Sequence, residues 1–98
     1  MRFEFLLPAA AEFQEAIGWY ERRSIRAAEG FRSRVRAAIL TALARPTSAG
    51  YPISARVRKI RLRPYDYGLL YFVQAEVLYV VAIAHNKRRP HYWQSRLE

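Results

Sequence analysis

The segment Val77–Ala84, VLYVVAIA, places eight apolar or aromatic residues in a row, most of them β-branched or small. No other feature constrains the fold as strongly. A strand of this composition belongs in the middle of a sheet, with both faces shielded from water. The run is far shorter than the roughly 20 residues needed to cross a bilayer, so it predicts a central strand and no membrane span.

The flanking patterns supply its neighbours. Leu69–Val73 reads as a strand joined to the central one by a tight connection at Gln74–Glu76. Before it, Val57, Lys59, Arg61 and Arg63 alternate with Arg58, Ile60 and Leu62, and PYDYG supplies a turn. Three strands with short connections form an antiparallel meander. At the start of the chain, Arg2–Leu7 alternates with a period of two until Pro8 stops the ladder. From Ala9 the spacing turns helical, with Ala9, Phe13, Ile17 and Tyr20 on one stripe, and this helix is expected to end near Glu21–Arg23. Ser24 is placed to cap a second helix with the stripe Ala28, Phe31, Val35, Ala38, Ile39, Ala42 and Leu43. The segment RPTSAGYP, residues 45–52, then breaks the helix.

The order β-α-α-β-β-β predicts an α+β fold, a helical hairpin packed on one face of a four-stranded, largely antiparallel sheet. The chain reads as a single domain, 1–98, with a polar C-terminal segment, 85–98. Helices can cover only one face fully, so unusual residues are expected on the other face or its rim.

Charge directs attention to the same place. Seventeen Lys and Arg, fifteen of them Arg, stand against eight Asp and Glu, a formal charge of +9 on 98 residues, which points to an anionic partner. The absence of cysteine excludes a disulfide framework, a thiolate metal site and a cysteine nucleophile, and it fits a cytoplasmic location. Glu4 and Pro8 interrupt the apolar stretch that a secretory signal requires.

Lys59, Arg61 and Arg63 project from one side of their strand, while Ile60 and Leu62 project from the other. Guanidinium forks match phosphate oxygens bidentately, so this side is a candidate phosphate-facing surface. The alternative is a plain solvated sheet face. The tail HNKRRPHYWQSR, His85–Arg96, interleaves aromatic and cationic residues as nucleic-acid surfaces do. Arg88, Arg89 and Trp93 are therefore binding candidates, although a large indole at a strand exit is more often a packing anchor. His85 and His91 lie six residues apart with only Asp66 as a nearby carboxylate, so neither a metal site nor a cofactor is expected. His85 reads as a hydrogen-bonded hinge residue or a proton-transfer group, and Asp66 as a stabiliser of its own turn.

The runs RKIRLRPYDYGLLYFV and VLYVVAIAHNKRRPHYW carry a basic strand, a turn running from Tyr67 to Tyr71, and an H-x-x-R-R-P-x-Y-W ending. In these features the chain resembles the RelE/ParE superfamily of toxins from bacterial type II toxin–antitoxin modules. The ending looks most like the ParE, plasmid-stabilisation branch. The resemblance implies a growth inhibitor neutralised by a cognate antitoxin, for which the charge predicts an acidic partner. ParE-like members poison DNA gyrase, whereas RelE-like members cut mRNA on the ribosome. The first target is the expected one and the second the alternative. In the alternative the chain would be a metal-independent endoribonuclease, with Arg61, His85, Arg89 and Tyr92 as catalytic candidates. However, the RelE pattern places an arginine just after the turn tyrosine, where this chain has Gly68. A plain nucleic-acid-binding module would explain the charge but not the terminal motif.

Overall fold

In the computed structural model, which describes residues 1–98, the chain runs β1 (Arg2–Phe5), α1 (Leu7–Glu21), α2 (Ile25–Ala44), β2 (Tyr51–Pro52), β3 (Arg58–Arg61), β4 (Tyr67–Gln74) and β5 (Val77–His85), and ends in a short 3-10 helix, Gln94–Leu97. Pro8 sits in the first turn of α1, where its missing N–H leaves no bond unmade. Ser24 caps α2, its Oγ accepting from the Ala27 N–H at 3.1 Å.

The strands form one mixed sheet in the order β1-β5-β4-β3-β2. β1 pairs in parallel with β5, and every other pairing is antiparallel. The sheet therefore has five strands and not the expected four. The addition is β2, inside the segment read as a helix breaker, where Tyr51 pairs with Lys59 and Pro52 with Arg58. A two-residue strand with a proline has no periodicity to read, and proline is tolerated there because β2 is an edge. β1 and β3 are shorter than their alternating patterns, and α1 begins at Leu7 rather than Ala9. Ala75 and Glu76 close the β4–β5 hairpin, both with positive φ, at 51° and 61°.

β5 is the central strand expected, and it is covered on both faces. On one side Leu78, Val80 and Ile83 join Leu69 and Tyr71 of β4 against Ile17, Phe31, Val35 and Ile39 of the helices. On the other side Val81, Ala82 and Ala84 join Leu70 and Phe72 around Trp93. A bulge makes this division possible. Leu70 pairs with Ala82 and Tyr71 with Val80, so Val81 has no partner residue on β4. One extra residue shifts the alternation by one, and Val81 and Ala82 both turn to the face away from the helices.

The C-terminal segment supplies the second covering layer. Trp93 is only 3% exposed, with Leu6, Ile53, Tyr79, Tyr92 and Leu97 packed around its cluster. The indole is a packing anchor, and what remains exposed of it borders the groove that His85 and Arg89 also line. Trp93→Ala is expected to destabilise the fold by about 3 kcal/mol in denaturant titration, the usual cost of emptying a buried aromatic site. A loss below about 1 kcal/mol would mean that the tail does not seal this face.

Candidate functional site

One carboxylate holds the tail in place. Along its length β1 pairs with β5 only as far as Val80, whose carbonyl accepts from the Leu6 N–H at 3.0 Å. Beyond that point the chain leaves the sheet to enter α1, and the outer edge of β5 needs other partners. Glu12 of α1 and Arg96 of the 3-10 helix provide them. Glu12 Oε1 accepts from the Ile83 N–H at 3.1 Å, and Arg96 donates to the Val81 carbonyl at 2.9 Å. The two side chains are joined by a bidentate pair at 2.9 Å on each arm, and the Tyr92 hydroxyl donates to Glu12 Oε2 at 2.7 Å.

Burial of Glu12 favours its neutral form, but the hydrogen bonds from Arg96 and Tyr92, the Arg96 charge and the Ile83 amide outweigh it and hold the carboxyl below its ordinary range. Burial, together with the bond to Glu12 and its charge, pushes the Tyr92 phenol well above its ordinary value. Its hydroxyl donates to Glu12, so Tyr92 helps to hold the tail against the sheet. In the sequence Glu12 stands beside Glu15 and Glu21 on α1 with nothing to set it apart from a surface glutamate. The signal that could have found it is its place between Ala9 and Ala16, at three and four residues' spacing, both fully or nearly fully buried.

The strap formed by the tail brings the rim cations toward the basic strand. Lys59 and Arg61 pair with Leu70 and Gly68 across the β3–β4 ladder, on the face away from the helices. Arg34 of α2 fixes the end of β3, donating to the carbonyls of Arg61 at 3.0 Å and Arg63 at 3.1 Å. Two grooves meet here. One of about 640 Å³ is lined by Lys59, Arg61, Arg63, Asp66 and Asn86. The other, about 410 Å³, is lined by Lys59, His85, Asn86, Arg88, Arg89 and His91 among others. Lys59 and Asn86 belong to both, and the Asn86 N–H donates to the Asp66 carbonyl at 2.9 Å, tying the two turns together.

Lys59 lies across Gly68, and a Cβ there would collide with the lysine stem. The position where the RelE pattern carries an arginine is thus occupied from above by a lysine of the neighbouring strand. No carboxylate lies within 4.0 Å of the charged groups of Lys59, Arg61, Arg63 or Arg89. Arg88 is different, since it lies 3.9 Å from Glu12 and over the Tyr92 ring. His85 stacks edge-on against Tyr67 with centroids 5.0 Å apart, and its Nδ1 accepts from the Lys87 N–H at 3.1 Å. That bond leaves Nε2 to carry the ring proton in the neutral imidazole. His85, Arg89 and Tyr92 line the 410 Å³ groove and Arg61 the adjoining one, with the Tyr92 hydroxyl turned to Glu12 and His85 beside Tyr67. No group of three potential metal ligands converges anywhere in the chain.

A two-helix hairpin over a five-stranded sheet is an architecture shared with a solved toxin–antitoxin chain. A chain of the chromosomal ParDE toxin–antitoxin system from P. aeruginosa superposes with a TM-score of 0.68 at 16% identity, covering 87% of this chain and 95% of that one, which establishes the fold. The sequence profile described as the ParE toxin of the type II toxin–antitoxin system parDE matches residues 3–90, and the chain belongs to that family. A comparison with curated proteins finds no match.

Because the carboxyl of Glu12 is held low, its stabilising contribution is complete above the unfolded value of about 4.3 and is lost as pH falls through the lower folded value. Glu12→Gln should therefore cost about 2 kcal/mol at neutral pH, with the gap to wild type closing below about pH 4. Equal denaturation midpoints at pH 7 would refute the assignment. The triple variant Lys59→Gln, Arg61→Gln, Arg63→Gln should melt within about 3 °C of wild type, since none of the three is ion-paired. Failure to fold would show that these cations anchor structure.

Proposed function

We propose that this chain is the toxin of a two-component module, that an acidic antitoxin neutralises it, and that it inhibits growth by trapping DNA gyrase rather than by bond chemistry of its own. Both gyrase and the alternative target, the ribosome with its mRNA, are cytoplasmic. The observation that carries this reading is that the Tyr92 hydroxyl, in the same groove as His85 and Arg89, is engaged by the Glu12 carboxylate. Metal-free RNA cleavage needs a group to activate the 2′-hydroxyl and another to protonate the leaving oxygen. Tyr92 is spent on Glu12, and Gly68 stands where the RelE pattern has arginine. What remains is a binding surface: Lys59 and Arg61 on β3, Arg63 just beyond it, with Arg88 and Arg89 on the rim.

The antitoxin would occupy a different face. Between β1 and α2 lies an apolar groove of about 440 Å³ lined by Phe3, Phe5, Phe13, Val35, Ile39 and Leu40, with Arg32 and Arg36 at its margin. An amphipathic segment with acidic flanks suits such a groove, folding onto it as it binds. Phe3, Phe13 and Leu40 would be the residues met by such a partner.

The purified chain is expected to inhibit gyrase supercoiling and to leave ribosome-bound mRNA uncut. Arg89→Ala should abolish toxicity on induction while the protein accumulates and folds as wild type. Cleavage of ribosome-bound mRNA with gyrase unaffected would establish the ribonuclease alternative. A fully toxic Arg89→Ala would move the contact surface to Arg61 and Arg63.

A further inference from the structure

The two edges of the sheet are unlike. The β2 edge is two residues long and carries Pro52, which blunts it against strand addition. The β1 edge carries no proline. The Leu6 N–H points inward to Val80, and because backbone groups alternate along a strand, those of Phe3 and Phe5 point outward with no partner in the sheet. Phe3 is 44% exposed at the rim of the apolar groove, with Leu40 beside it, 59% exposed.

We propose that β1 pairs antiparallel with β1 of a second copy of this chain about a two-fold axis at Phe3. The sequence around that axis is self-complementary. Arg2 and Glu4 are ion-paired within one chain; with Phe3 opposite Phe3 of the second copy, Arg2 of each chain also faces Glu4 of the other, so the two pairs join into one cross-strand cluster of alternating charge on the face away from the helices. Opposite charges at such positions stabilise a strand pair and like charges destabilise it. Shifting the register by two residues in either direction sets Arg2 against Arg2 or Glu4 against Glu4. A shift by one residue sets the outward groups of Phe3 against groups that point into the sheet. Only one register satisfies both the hydrogen bonds and the charges.

In this arrangement two five-stranded sheets join edge to edge, and the groove beside Phe3 meets its symmetry mate across the axis. The pairing stands independently of the toxin reading. A four-residue strand buries little area, and two chains of charge +9 repel, so association is weak and strengthens with salt.

Sedimentation velocity over a concentration series tests the proposal. Wild type is expected to shift from monomer toward dimer as concentration rises. Arg2→Glu alone and Glu4→Arg alone should each weaken association about tenfold or more, because each sets like charges opposite one another. The double variant Arg2→Glu, Glu4→Arg should restore it, and so should an equimolar mixture of the two single variants, in which each chain meets its complement. Both side chains are solvent-exposed, at 66% and 46%, so all variants should keep the wild-type circular dichroism. Three results would overturn the proposal: a chain monomeric at every concentration, association indifferent to the charge reversals, or a mixture no better than its components. So would a β1 edge whose amides become protected only when an acidic partner protein binds.

Discussion

The Glu12 carboxylate is the point at which three parts of the molecule are joined. It takes the Ile83 amide that β1 cannot reach, the Tyr92 hydroxyl and both arms of Arg96. A parallel edge strand that turns into a helix after four residues leaves the rest of its neighbour's edge open, and an unpaired backbone group there would cost about 1–3 kcal/mol once buried. An acid on the first helix and an arginine at the end of the chain together substitute for the missing length of β1. The same bonds hold the tail against the sheet, which is what allows Trp93 to cover Val81 and Ala82. Without that cover the strand Val77–Ala84 would be apolar on an open face.

The layout of the cations follows from this arrangement. With the tail bound back at Tyr92 and Arg96, the turn after β5 can only project outward, and it carries Arg88 and Arg89 to the groove that Lys59 also lines. Arg34 performs the matching task from the helix side by gripping the carbonyls at the end of β3. Positive charge is thus concentrated where few carboxylates oppose it. The apolar groove under β1 lies apart from it, bordered by a different pair of arginines. The proposed target and the proposed antitoxin would thus meet separate surfaces.

Much of this was legible in the chain. The unbroken run Val77–Ala84 demanded cover on both sides, the stripes of α1 and α2 supplied one layer, and the size and position of Trp93 suggested the other. What escaped was set by backbone geometry and distant pairing. The bulge at Val81 leaves no mark in a run where every residue is apolar or aromatic, and β2 is too short for any period. Glu12 and Arg96 are 84 residues apart, and each taken alone resembles a surface charge. The basic strand was plain from its alternation, but that Lys59 would lie across Gly68 depended on the β3–β4 register.

Hydrogen exchange at the Ile83 amide tests the Glu12 junction most directly, because that amide has no strand partner other than the carboxylate. In the wild type it should exchange as slowly as the amides of the β4–β5 ladder. In Glu12→Ala it should exchange far faster, while the ladder amides toward Val77, remote from the tail, keep most of their protection. An Ile83 amide that exchanges freely in the wild type, or that stays protected without Glu12, would show that something else closes this edge and that the tail is held by other means.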